Sequence, residues 1–231
     1  MKKILDQFVN LLFPKFCLGC KREGVWLCDE CRKTLKPLHP EMCPWCHHIP
    51  TVCGFLCQEC KAKTKISQMA AAFDYKQELV EKIVIHLKYA SVKDIAELMA
   101  EEISSLWKKI GNKDKTSLVV PIPLHSHRLR ERGFNQAEYI ARAFAKSNEF
   151  LCAPHVLART KPTRPQVELS REERLKNVED VFAVRDAAAL KAKTIILVDD
   201  VCTTGATVQE AAEALINGGA QRVIVLTFAR G

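Results

Sequence analysis

The sequence predicts an α/β protein, a parallel sheet packed by helices, with a small cysteine-rich module at its N-terminal end. Three observations lead to that class. From residue 67 onward, short apolar runs of strand length alternate with longer segments of helical period. Nine of the eleven cysteines fall between Cys17 and Cys60, and only Cys152 and Cys202 follow. One apolar run, "TIILVDDVCTTGAT" at 194–207, passes directly into two acids and a loop of small residues. The 231 residues, 48% of them hydrophobic, suffice for one sizeable core plus the cysteine module. The expected division is a helix over 1–15, a double zinc ribbon over 16–66 and the α/β domain over 67–231.

The opening "MKKILDQFVNLLFPKF" resembles a secretion signal only at first sight. Asp6, Gln7 and Asn10 break its apolar run, and no small-residue cleavage site follows. It reads as a short amphipathic helix with Ile4, Leu5, Phe8, Leu11 and Leu12 on one face. Such a face packs on a core or lies on a membrane surface. No run approaches the ~18 apolar residues of a transmembrane span. The expected location is the cytoplasm, with peripheral contact at the inner face of the membrane as the other place this helix allows. In a reducing compartment the cysteines read as metal ligands rather than disulfides.

The module carries four C-x2-C pairs: Cys17 and Cys20, Cys28 and Cys31, Cys43 and Cys46, Cys57 and Cys60. Each pair turns both sulfurs toward one point, so two pairs supply a closed tetrahedral thiolate site and four pairs fit two structural zincs. Gly19, Pro44 and Gly54 suit the tight turns around them. The segment holds too few large apolar residues to fold unaided, so bound metal would supply the folding energy. Sequential pairing puts Cys17, Cys20, Cys28 and Cys31 at one site and Cys43, Cys46, Cys57 and Cys60 at the other; crossed pairing and iron in place of zinc are the alternatives. Cys53, His47 and His48 read as unliganded.

In the second part, "QELVEKIVIHLKY" and "KDIAELMAEEISSLWKKI" carry helical faces, the latter stopping at Gly111. "SLVVPIP" reads as a buried strand ended by Pro121 and Pro123. "NQAEYIARAFAKS" is a helix with Ala137, Ile140, Ala141 and Phe144 inward. "TIILVDDV" is a second strand, "ATVQEAAEALINGG" a helix stopped at Gly218 and Gly219, and "RVIVLTFA" a third strand. In such sheets ligands sit beyond the carboxyl ends of the strands, where Asp199, Asp200 and the small-residue loop fall.

A strand, a Gly/Thr loop and a helix N-terminus together form a phosphate cradle, because free backbone N–H groups and the helix dipole face the ligand. Thr203, Thr204 and Thr207 add hydroxyl donors. No G-x4-G-K-[ST] occurs, so this is not a Walker loop. Two acids just upstream suit a vicinal diol better than a second phosphate. A ribose 5-phosphate presents both groups.

"IILVDDVCTTGAT" resembles the phosphoribosyl pyrophosphate (PRPP) motif of type I phosphoribosyltransferases. The resemblance implies a phosphoribosyltransferase-like domain in which Asp199 and Asp200 form the catalytic pair and hold the ribose 2′ and 3′ hydroxyls. Val201, Cys202, Thr203, Thr204, Gly205, Ala206 and Thr207 would then wrap the 5′-phosphate. "VVPIPLHSHRLRERGFNQAEYIA", "RPQVELSREERLKNVEDVF" and the cysteine-rich front are similar to the competence protein F (ComF) family, over essentially the full chain. Its members join a double zinc ribbon to such a domain and imply a role in DNA uptake.

Transfer from PRPP needs cations for the pyrophosphate and a cover against water. Arg128, Arg130 and Arg132, in the loop after the first strand, are the expected clamp. Mg²⁺ would arrive with PRPP, bound mostly by substrate oxygens and water. The polar segment 159–180, with Arg164, Gln166, Arg171, Arg174 and Asn177, holds the place of a mobile hood, with an ordinary charged helix as the competing account. The formal charge of +8 drops to about +4 once eight thiolates hold two Zn²⁺, and does not decide between nucleotide and nucleic-acid partners. The alternative is a non-catalytic accessory that binds single-stranded DNA through its ribbons and basic stretches, "HSHRLRER" and the patch from Lys108 to Lys115. An aromatic content of 7% leaves it few stacking platforms.

Overall fold

The computed structural model of the chain describes residues 14–38, 41–89, 92–110, 114–160 and 181–231. The expected N-terminal helix and most of the hood segment lie outside the described residues. The cysteine-rich region carries two short helices, α1 (Asp29–Thr34) and α2 (Gln58–Ala62). There follow β1 (Ile66–Asp74), α3 (Glu78–Tyr89), α4 (Val92–Ile110), β2 (Leu118–Pro121), α5 (Ser126–Arg132) and α6 (Gln136–Asn148). The chain continues through β3 (Leu151–Cys152), β4 (Leu157–Arg159), β5 (Phe182–Val184), α7 (Ala187–Leu190), β6 (Thr194–Cys202), α8 (Ala206–Asn217) and β7 (Arg222–Arg230).

Five strands form one parallel sheet in the order β1-β7-β6-β2-β3, and β4 pairs with β5 antiparallel in a separate ribbon. The strands expected over 117–123, 194–201 and 222–229 are present, and the acid-bearing one is central. β1 was not expected. Its "ISQMAAAFD" is buried nearly throughout although alanine-rich. The basic stretch after β2, expected as a loop, is the helix α5, which ends at Gly133 in the left-handed conformation (φ 76°).

Alternation along the strands builds two cores. Ile196, Val198, Ile224 and Leu226 pack with α3, α4 and α6 on one face. Ile195, Leu197, Val223 and Val225 pack with Val208, Ala211 and Leu215 of α8 on the other. The cysteine region straddles the sheet. Leu18, Leu27 and Leu35 join the first core, whereas Cys43, Leu56, Cys57 and Cys60 join the second. Between them the chain covers the open edge of β1, where Leu38 N–H donates to Ala72 O at 2.9 Å and Met69 N–H to Gly54 O at 2.9 Å. A Cβ on Gly54 would stand 2.7 Å from Met69 O, so only glycine permits that approach. Covering an edge strand in this way removes a template for unwanted pairing.

Candidate functional site

The cysteine pairs gather as two sequential sets, and within each set the four sulfurs lie within 4.8 Å of one another. The Sγ–Sγ separations of 3.7 Å (Cys17–Cys28), 3.6 Å (Cys20–Cys28) and 3.9 Å (Cys46–Cys57) match the edge of a tetrahedron with Zn–S bonds of 2.3 Å, about 3.8 Å. The two sets repeat one construction. In each, the first pair makes a turn closed by an N–H to the first cysteine carbonyl, from Lys21 or His47, at 2.9 Å. Both residues are left-handed, with φ of 66° and 57°. In each, the second pair opens a short helix whose N-cap residue, Cys28 or Cys57, donates its N–H to the first sulfur at 3.4 or 3.3 Å. Although burial pushes Cys17 up, N–H donors from Cys20, Cys28 and Gly19 bring it down to about 6. Cys43 is likewise brought to about 6 against burial by donors from Cys57, Cys46 and Trp45. Thiolate-favouring donors and tetrahedral spacing fit zinc at both sets. Cys53, His47 and His48 stand outside the sets, and His47 serves as a turn residue.

At the other candidate site, β6 runs between β7 and β2, and its carboxyl end presents Asp199 and Asp200, both half-buried. Asp200 N–H donates to Asp199 Oδ1 at 3.0 Å, and Val201 N–H to Asp200 Oδ1 at 2.8 Å. Burial, and then the neighbouring Asp200 charge, push Asp199 well above the usual carboxylate range. Cys202 is buried, and burial raises its thiol to about 11, so it packs as a neutral side chain. Thr203 and Thr204 are exposed, and Thr204 Oγ1 accepts from Ala206 N–H at 3.4 Å. Gly205 caps α8 in the left-handed conformation at φ 82°, and Ala206 and Thr207 open the helix. The loop is therefore small-sided and ends at a helix N-terminus, whose first N–H groups have no carbonyl partner within the helix.

The arginines divide. Arg128 is half-buried, whereas Arg130 and Arg132 are exposed. Arg130 lies about 200° around α5 from Arg128, so the three do not form one clamp. Arg128 instead approaches Arg159, which sequence reasoning left inside the hood segment. Burial and then the Arg128 charge lower the Arg159 pKa, and Asp199 raises it, so the three groups share one electrostatic neighbourhood. Arg159 ends β4 with its guanidinium 5.6 Å from the centre of the Phe182 ring.

Tyr75 was also missed. Burial, then Glu81 and Asp200, raise its phenol, and its N–H donates to Arg230 O at 2.7 Å. Asn135 and Gln136 are buried, and Asn135 Nδ2 donates to Ile122 O at 3.0 Å, tying α6 to the end of β2. His125 accepts from His127 N–H at 3.3 Å, and His127 lies 3.4 Å from Glu131, so both serve α5 locally. Arg164, Gln166, Arg171, Arg174 and Asn177 lie outside the described residues. No helix among the described residues is long and apolar enough to cross a membrane.

Residues 85–231 match the phosphoribosyl transferase domain family, which sets the class: a parallel-sheet α/β domain of phosphoribosyltransferase type, preceded by two four-cysteine groups that fit zinc-ribbon modules. Among curated proteins, "Competence protein ComFC" of Bacillus subtilis (strain 168) is 30% identical over 200 residues, 84% of this chain and 79% of its own. "DNA utilization protein YhgH" of Escherichia coli O157:H7 is 27% identical over 231 residues, 95% of this chain and 99% of its own. The chain belongs to the competence protein F (ComF) family of phosphoribosyl transferase-domain proteins. Among solved structures, an allosteric regulatory enzyme of purine biosynthesis aligns with 62% of this chain at 14% identity and TM-score 0.42. This chain spans only 30% of that larger one.

Proposed function

We propose that the chain binds PRPP at the carboxyl end of β6 and transfers its phosphoribosyl group to an acceptor, in the service of DNA uptake in the cytoplasm. The observation that supports this best is the succession Asp199, Asp200, small-residue loop and α8 N-terminus at the centre of the sheet. Asp199 and Asp200 accept from the ribose hydroxyls, and the Val201–Thr207 stretch takes the 5′-phosphate through N–H and hydroxyl donors. The transfer breaks the bond from the anomeric carbon to pyrophosphate and forms one to the acceptor nucleophile. Arg159, which interacts with Asp199, and Arg128 beside Arg159 are the best-placed cations for the departing pyrophosphate, with Arg130 and Arg132 as outer contributors.

Mg²⁺ bound with PRPP would neutralise pyrophosphate charge. Among the described residues, no group of three or more His, Cys, Asp or Glu gathers other than the two cysteine sets. This suits a cation carried mainly by substrate oxygens. Zinc at both cysteine sets would hold the N-terminal region folded. Competence and DNA utilization, named for the relatives, supply the biological setting.

Calorimetric titration of Mg²⁺–PRPP into zinc-replete protein tests the reading. Saturable binding, reduced at least a hundredfold by Asp199→Asn/Asp200→Asn, is expected. Absence of binding by the folded wild type would overturn it.

A second reading, docking of single-stranded DNA, draws on a groove of about 340 Å³ beside α5, where Phe134 and Tyr139 meet edge to face at 6.0 Å and Arg142, ion-paired with Glu138 at 2.8 Å, lines the wall. It requires salt-dependent binding that is insensitive to the Asp199 and Asp200 changes.

A further inference from the structure

The second cysteine set touches the loop at the end of β6. Trp45, between the ligands Cys43 and Cys46, lies against Gly205. A Cβ on that glycine would stand 2.8 Å from Trp45 Cη2 and 2.9 Å from Cζ3. The indole thus closes over the left-handed residue that starts α8, whose carbonyl accepts from Gln209 N–H at 2.9 Å as the helix begins. A separate path runs through Arg230 at the end of β7, paired in register with Cys202. Burial lowers its guanidinium pKa, whereas Cys202 and Cys43 raise it, so it stands between the loop and a ligand of the second set. Gly231 N–H then donates to Cys202 O at 3.0 Å.

The first set makes no described contact of this kind. It is fastened to α4, by Arg32 to Glu101 at 2.8 Å and by Trp26 Nε1 to Asp94 at 3.2 Å. Metal at the second set would fix the Cys43–Cys46 turn, and with it the indole that lies against Gly205.

We infer that Trp45 is a positioning residue for the loop after β6, through which metal held by Cys43, Cys46, Cys57 and Cys60 and a phosphate-bearing ligand on residues 203–207 strengthen each other. The ligand half rests on the PRPP reading above. Linkage makes the effect reciprocal: if metal tightens the ligand, the ligand must tighten the metal at that set and not at the other.

The test uses full-length, two-zinc protein and three readouts. Hydrogen exchange over residues 202–208 needs no ligand. Trp45→Ala should quicken it about tenfold, Trp45→Phe should restore most of the protection, and Arg32→Ala at the first set should leave it unchanged. Mg²⁺–PRPP should bind Trp45→Ala about tenfold more weakly. In wild type, equilibrium competition for zinc with a chromophoric chelator should resolve two sites, with saturating Mg²⁺–PRPP tightening only one.

Unchanged loop exchange in a Trp45→Ala protein that keeps both zincs would overturn the positioning role. Undiminished PRPP affinity in that variant, or PRPP binding that tightens neither zinc site, would overturn the linkage. If wild type binds no PRPP, the functional reading fails, while loop exchange still decides whether Trp45 holds the loop. Should Trp45→Ala lose zinc, the wild-type zinc competition with bound PRPP decides.

Discussion

The two cysteine sets share one construction and differ in what they face. The first presents Leu18, Leu27 and Leu35 to the α3–α4 side of the sheet and ties itself to α4 through Arg32 and Trp26. The second lies on the α8 side, with Trp45 against Gly205. Identical local chemistry therefore gives one clamp and one wall of the candidate site. The repeated turn and helix would hold a metal in the same way at both sets, and the face of the sheet each set packs on decides which elements lie beside it.

The largest difference should appear on losing metal. Cys28→Ser at the first set and Cys57→Ser at the second should each forfeit part of the roughly 10 kcal/mol that a structural zinc supplies to small metal-folded peptides. Both should lower the thermal midpoint. Only Cys57→Ser should also weaken Mg²⁺–PRPP in the protein that remains folded, and equal weakening in both would erase the comparison. A smaller effect separates sterics from strain at the contact itself. Gly205→Ala introduces a Cβ 2.8 Å from Trp45 at a φ of 82°, at a combined cost of about 1–3 kcal/mol. Trp45→Ala in the same chain should recover the steric share and leave the backbone share, a non-additivity that a double-mutant cycle of urea midpoints reads directly.

These neighbours explain what the sequence could and could not reveal. The cysteine sites and the Asp199–Thr207 succession are local, each written within about twenty residues, and both could be read in advance. β1 could not, because "ISQMAAAFD" has neither alternation nor β-branched bulk. It is a strand because β7 pairs with it on one side and Gly54 and Leu38 cover the other. α5 has no apolar stripe and so no helical period. Arg159, Tyr75 and Trp45 reach the site from elements far apart in the chain, and only the sheet order brings them together. A signal for Trp45 was present: a large indole between two ligands supplies no ligand atom and needs a packing partner elsewhere.

The smallest effect contrasts two acids, one on each side. Near the first set, burial works against Asp94, but Lys15 and Trp26 donate to it and hold its carboxyl below the usual range. An acid with a lowered pKa contributes stability above its unfolded value, near 3.9, and that contribution is lost as pH falls through the folded value. Asp199 is the reverse. Burial and Asp200 raise it, so its contribution is complete below about 3.9 and is lost as pH rises toward the folded value. The unfolding free energy from urea titration at neutral pH should therefore fall by about 0.5–1 kcal/mol for Asp94→Asn, a partly exposed pair, and rise for Asp199→Asn. Both differences should shrink below pH 4. A destabilised Asp199→Asn at neutral pH would mean that the paired acids are held together by partners stronger than their repulsion, and the contrast with Asp94 would fail.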